Sequence, residues 1–153
     1  MLASIVVSAA LAGLAAAMPT APFAERAGGP AIVPVPPSCT VTHPLPSTTS
    51  SDQTYKPCSS TDDVSLYSAY YPSFSTNTTF MAEQCLQQCY GYGDHTECKA
   101  AYWAENLVIP EGYRGAGGIA TGCLFYTREL HESDFVVAPA NRATTPFAAN
   151  LKC

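Results

Sequence analysis

Charge is scarce in this chain: Asp, Glu, Lys and Arg make up 12% of its 153 residues, about half the usual share for a soluble domain. No cluster of Lys and Arg occurs, and the net charge is −5 with a pI near 5.0. A nucleic-acid partner therefore lacks electrostatic support, and so does an anionic membrane surface. Paired C-x-x-C spacings are missing, as is a closely spaced pair of histidines, so structural zinc has no signature. The three histidines, His43, His95 and His131, are scattered. No apolar tail follows Cys153 and no second long apolar run occurs, so neither a lipid-anchor signal nor a membrane span is expected. These absences argue against an enzyme, a cofactor and a bound metal.

The one long apolar run comes first. Leu2 to Ala17 reads LASIVVSAALAGLAAA, too short for a comfortable span, which needs about 20 apolar residues. It ends in the small residues Ala15-Ala16-Ala17, as a secretory cleavage site does, and Pro19 and Pro22 break any helix that continued. Residues 1–17 are read as a signal peptide, although Lys and Arg are missing from its start. All seven cysteines (Cys39, Cys58, Cys85, Cys89, Cys98, Cys123 and Cys153) lie beyond that point, as expected of a disulfide framework in an exported chain. Asn77-Thr78-Thr79 is an N-glycosylation sequon and agrees with passage through a secretory pathway.

Composition divides the remainder. Residues 18–57 carry Pro19, Pro22, Pro30, Pro34, Pro36, Pro37, Pro44 and Pro46, then Ser47-Thr48-Thr49-Ser50-Ser51, and read as a leader and linker. The folded domain is expected over 58–153. A helix is expected from about Phe80 to Tyr90 with Thr79 as N-cap; Met81, Cys85 and Cys89 at i, i+4, i+8 face the core, and Gly91 and Gly93 stop it. Strands are expected around Val64–Tyr71, Cys98–Ala104 and Cys123–Thr127. Glu105 to Gly122, 18 residues with five glycines, reads as a long surface loop.

Aromatic side chains are the best functional lead. Tyr90 and Tyr92 sit in the turn after the helix, and Tyr113 and Arg114 at the middle of the long loop. By strand alternation Trp103 lies opposite Cys98, Ala100 and Tyr102. If Cys98 faces the helix, Trp103 faces away, either exposed for recognition or packed under the loop. The run Glu129, His131, Glu132, Asp134 resembles an acid/base or metal cluster but reads more simply as a solvated turn. Gly115 to Ala120 lacks the strand-then-helix context of a dinucleotide fingerprint.

In order, these pieces form one pattern: Ala82-Glu83-Gln84-Cys85-Leu86-Gln87-Gln88-Cys89, then Cys98-Lys99-Ala100-Ala101-Tyr102-Trp103, then Thr121-Gly122-Cys123-Leu124-Phe125, with Cys58 and Cys153 at the ends. The pattern resembles the PAN/apple domain family in its single-domain secreted fungal form, over about residues 58–153. The resemblance implies an α+β fold, an antiparallel sheet curled around one α-helix, with nested disulfides Cys85–Cys123, Cys89–Cys98 and Cys58–Cys153. It leaves Cys39 unpaired and open to an intermolecular disulfide. It also implies an extracellular binding module for a carbohydrate or protein ligand, with Trp103, Tyr113, Arg114, Tyr90 and Tyr92 as candidate contacts. A secreted effector or inhibitor acting on a host or competitor protein is the second reading.

Overall fold

β-Strand pairing dominates the backbone, as the β-branched and aromatic stretches lead one to expect. The computed structural model of the protein describes residues 29–47 and 53–153; the expected signal peptide and its cleavage site lie outside the described residues. Among the described residues seven strands form: β1 (Thr40–Thr42), β2 (Tyr55–Pro57), β3 (Ser65–Tyr71), β4 (Ala100–Val108), β5 (Ile119–Tyr126), β6 (Phe135–Val137) and β7 (Thr144–Lys152). Five make one sheet in the order β1-β7-β4-β5-β3, and β2 pairs with β6 in a small second sheet. Every pairing is antiparallel. The fold is thus α+β, mostly antiparallel sheet with one main helix and three disulfides.

The helix, α1 (Thr78–Tyr90), begins earlier than expected. Asn77 rather than Thr79 caps it, its Oδ1 accepting from the Phe80 N–H at 3.0 Å. Its amide oxygen reaches the third helical N–H, which satisfies one of the orphan donors of the first turn. Met81, Cys85 and Cys89 are at most 1% exposed, so the i, i+4, i+8 stripe does face the sheet. There it meets Ala101, Trp103, Cys123 and Phe125. On the other sheet face, Ala100, Tyr102, Leu107, Tyr126 and Phe135 form a second apolar layer. Alternation along β4 and β5 supplies both layers, since successive side chains point to opposite faces.

The disulfides Cys85–Cys123 and Cys89–Cys98 form as the resemblance implied, each fastening α1 to the sheet side. The outer bond does not. Cys153 pairs with Cys39, and Cys58 is the free thiol. Register explains the correction: β1 pairs with the end of β7, Thr40 opposite Lys152, which sets residue 39 beside residue 153 with Cα atoms 4.1 Å apart. Cys58 is held elsewhere, its N–H donating to the Asp134 carbonyl at 2.9 Å.

The reading of residues 18–57 as linker is corrected for its described part, because β1 and β2 lie within it. Val35 and Val41 pack against the helix-side core, and the Val33 N–H donates to the Gln87 carbonyl at 3.3 Å. A Cβ at Gly91 would collide with the Ala31 carbonyl oxygen, so glycine there admits this segment to the end of α1. Extended, proline-punctuated backbone served as a cue for a solvated spacer; here its valines find apolar surface to cover.

Among the described residues, no helix is long and apolar enough to cross a membrane.

Candidate functional site

Residues that prefer extended conformations build a cleft on the sheet face away from α1. Tyr70 of β3, Leu124 and Tyr126 of β5 and Leu107 of β4 project there by alternation. The cleft has a volume of about 380 Å³. Its polar lining comes from four elements: Lys56 of β2, Asp62 of the 3-10 turn Ser59–Val64, Asn106 of β4 and Arg142 of the turn before β7. The free Cys58 also lines it, its Sγ 2.9 Å from the Ser60 Oγ.

The walls are held in costly backbone. Asn106, Asn141 and Ala143 have φ of 58°, 59° and 49°, the left-handed region that disfavours side chains. Surrounding bonds impose it: the Ala143 N–H donates to the Asn106 carbonyl at 3.3 Å, Asn106 Nδ2 donates to the Thr144 Oγ1 at 2.8 Å, and the Thr54 hydroxyl donates to the Arg142 carbonyl at 2.9 Å. Asparagine tolerates this region better than most side chains, so the cost falls mainly on Ala143.

The expected long loop is shorter than its sequence suggests. β4 and β5 keep pairing past a bulge, Leu107 opposite Ala120 and Val108 opposite Ile119, so only residues 109–118 form the connection. The Ile109 N–H donates to the Gly118 carbonyl and the Gly117 N–H to the Ile109 carbonyl, both at 2.9 Å; Gly115 and Gly117 turn the chain at φ of 87° and 82°. Tyr113 stands at this tip, 42% exposed, and packs edge-on against Tyr70 with ring centroids 5.1 Å apart. Tyr70 thus joins the hairpin tip to the cleft. Burial, then Tyr113 and Asp62, push its hydroxyl up to about 12, so it stays protonated and able to donate. Arg114 is exposed in the same tip and does not line the cleft.

The other candidates lie elsewhere. Trp103 is 0% exposed and belongs to the helix-side core, its Nε1–H donating to the Tyr71 hydroxyl at 3.1 Å. The expectation that it faces away from the helix is wrong because Cys98 precedes β4, which begins at Ala100; the alternation counts from there. A groove of about 520 Å³ between α1 and β7 has Trp103 as one wall; its exposed side chains are His43, Thr79, Glu83 and Thr145, while the indole itself stays buried. Tyr90 stacks on His95 with centroids 4.6 Å apart. Tyr92 packs edge-on against Phe125. Both stand on the helix side, with the sheet between them and the cleft. Tyr113, like Arg114, is not part of the cleft lining and meets it only through its ring contact with Tyr70; Trp103, Tyr90 and Tyr92 are separated from it.

Lys56, Asp62, Asn106 and Arg142 escaped the sequence reading. The composition shift at Lys56-Pro57-Cys58 was the available signal for one wall, and Pro139-Ala140-Asn141, a turn sequence, for the other.

The run from Glu129 to Asp134 is a structural turn. Asp134 accepts from Arg128 Nη1 at 2.7 Å, Arg128 Nη2 at 2.9 Å and the His131 N–H at 2.8 Å. The Arg128 guanidinium first, then the His131 N–H, hold its carboxyl down at about 2. Because the folded value lies below the unfolded value of about 4, the stabilisation is complete above that unfolded value. It is lost as pH falls toward the folded one. Thermal melts between these limits should show a decline of about 1 kcal/mol, kept small by the solvent around Arg128. Asp134→Asn should flatten it.

Compared with known proteins, the chain matches no family model, no curated protein and no solved structure.

Proposed function

We propose that this protein is an extracellular binding module that takes a carbohydrate or protein ligand in the cleft between β2, the 109–118 hairpin and the turn before β7. The observation that carries the reading is the junction of Tyr113, an exposed ring, with Tyr70 at the edge of a cleft whose walls are strained. A large rigid ring gains contact area at low entropy cost, and polar groups on several sides fix the orientation of what it holds. Three disulfides and the apolar run ahead of the first cysteine support an oxidising, exported setting. The likeness to PAN/apple domains, with a sheet curled around the helix and nested bonds, is part of this reading. So is glycosylation at Asn77, which is exposed.

Glycan-array and cell-wall pull-down binding, compared between the parent and Tyr113→Ala with Arg114→Ala, tests it. The double variant should bind more weakly by about 2 kcal/mol and melt as the parent does, since exposed loop changes usually stay within about 0.5 kcal/mol. Undiminished binding would move the site away from the hairpin and cleft.

A further inference from the structure

The chain has only seven Lys and Arg residues against twelve Asp and Glu, yet two of the seven, Lys56 and Arg142, line one cleft. Neither is neutralised. The ion pair among the described residues is Arg128–Asp134, and the Arg142 guanidinium donates only to the Asn141 carbonyl at 3.1 Å. Arg142 is also presented deliberately: its own N–H donates to the Pro139 carbonyl at 3.0 Å and its carbonyl accepts from Thr54 at 2.9 Å. Its neighbours Asn141 and Ala143 are both left-handed. An acidic protein that holds two unpaired cations at one cleft is complementary to an anion.

We infer that the ligand of this cleft is an acidic saccharide, a glycan whose sugar units carry carboxylates. The inference rests on the binding-module reading and deepens it. The guanidinium of Arg142 offers the planar fork that suits a carboxylate, and Lys56 adds a point charge. Asp62 and Asn106 then argue for sugar over an acidic peptide. Asp62 lines the same cleft and its charge acts on Tyr70 and Tyr126. The Asp62 carboxylate repels the carboxylates of either ligand, but sugar hydroxyls can donate hydrogen bonds to it, and a polyglutamate has none to offer. Asn106 can donate and accept, and the protonated Tyr70 hydroxyl can donate. The exposed Tyr113 ring offers a flat apolar face for the C–H side of a sugar ring.

The test titrates the intact protein with an oligogalacturonate, with the same oligosaccharide fully methyl-esterified, and with a polyglutamate peptide. The acid form should bind at least about 10-fold more tightly than the ester, and added salt should narrow the gap. Arg142→Gln and Lys56→Gln should each abolish most of the preference, with melting unchanged, because the bonds that tie residue 142 to Pro139 and Thr54 are made by its backbone and its guanidinium reaches only the adjacent Asn141 carbonyl. Tyr113→Ala should weaken both forms alike. Equal binding of acid and ester would overturn the charge argument while leaving the binding module in place. Polyglutamate bound as tightly as the uronate would overturn the choice of saccharide. Binding of none of the three would overturn the inference, and the array comparison of Tyr113→Ala with Arg114→Ala would then decide the broader reading by itself.

Discussion

Replacing Cys39 and Cys153 together with serine should lower stability by about 4 kcal/mol, whereas Cys58→Ser should change it by less than about 1 kcal/mol. The outer bond joins residues separated by 114 positions. Loop closure of that order removes unfolded-state entropy worth roughly 4–5 kcal/mol on chain-entropy grounds. The bond also anchors β1 along the end of β7, Thr40 to Thr42 against Lys152 to Asn150, so its loss frees an edge strand held by only three residue pairs. Cys58 makes no such link. Its Sγ lies 2.9 Å from the Ser60 hydroxyl, a contact that serine can reproduce. Denaturant unfolding measures both effects. Non-reducing peptide mapping should recover one peptide linking Cys39 to Cys153, and a thiol reagent should label Cys58 and no other cysteine. A Cys58–Cys153 peptide would return the outer bond to the pairing that the family likeness implies and release β1 from its place.

That difference marks where the sequence stops being legible. A strong local pattern carried through, in that the stripe Met81, Cys85, Cys89 faces the sheet; the two inner disulfides, which the residues alone left open among many pairings, are those that the family resemblance implied. What failed depends on partners distant along the chain. Thr40-Val41-Thr42 is three residues between prolines, too short to stand out, and becomes a strand only because β7 offers an edge. β7 itself, TTPFAANLK, carries Pro146 and escaped notice; its register to β4 shifts between Trp103 and Glu105. The hairpin looked like a loop of nearly twice its length because pairing resumes beyond the bulge at Asn106. The cleft is the least legible of all. Its lining is drawn from Lys56 to Ala143, and only the tertiary fold assembles it. That Tyr113 stays exposed could be expected in advance, because a ring at a glycine-rich tip has nowhere local to bury itself. The unpaired charge of Arg142 at the cleft could not, since no local signal says which basic residue the fold leaves without a carboxylate.

Trp103→Ala should lower stability by about 3–5 kcal/mol and leave the cleft's affinity unchanged in whatever fraction remains folded. The indole is fully buried among Met81, Ala82, Phe125 and the Cys85–Cys123 bond, and deleting so large a side chain from a packed core costs that much through lost contacts and the cavity left behind. The Tyr71 hydroxyl, which accepts from the indole N–H at 3.1 Å, would lose its partner too. Trp103→Phe keeps much of the ring volume but not that bond, and should cost about 1–2 kcal/mol. Trp103 is the chain's one tryptophan, so its fluorescence reports on this position alone. Emission should be blue-shifted and shielded from acrylamide in the native protein, red-shifting only on unfolding. Saturating the cleft with ligand should leave the emission nearly unchanged, because the sheet separates the indole from Tyr70 and Arg142, whereas a ligand stacked on Trp103 would quench or shift it strongly. Strong quenching by ligand, together with unaltered binding by Arg142→Gln, would place recognition on the helix side and remove the cleft from consideration.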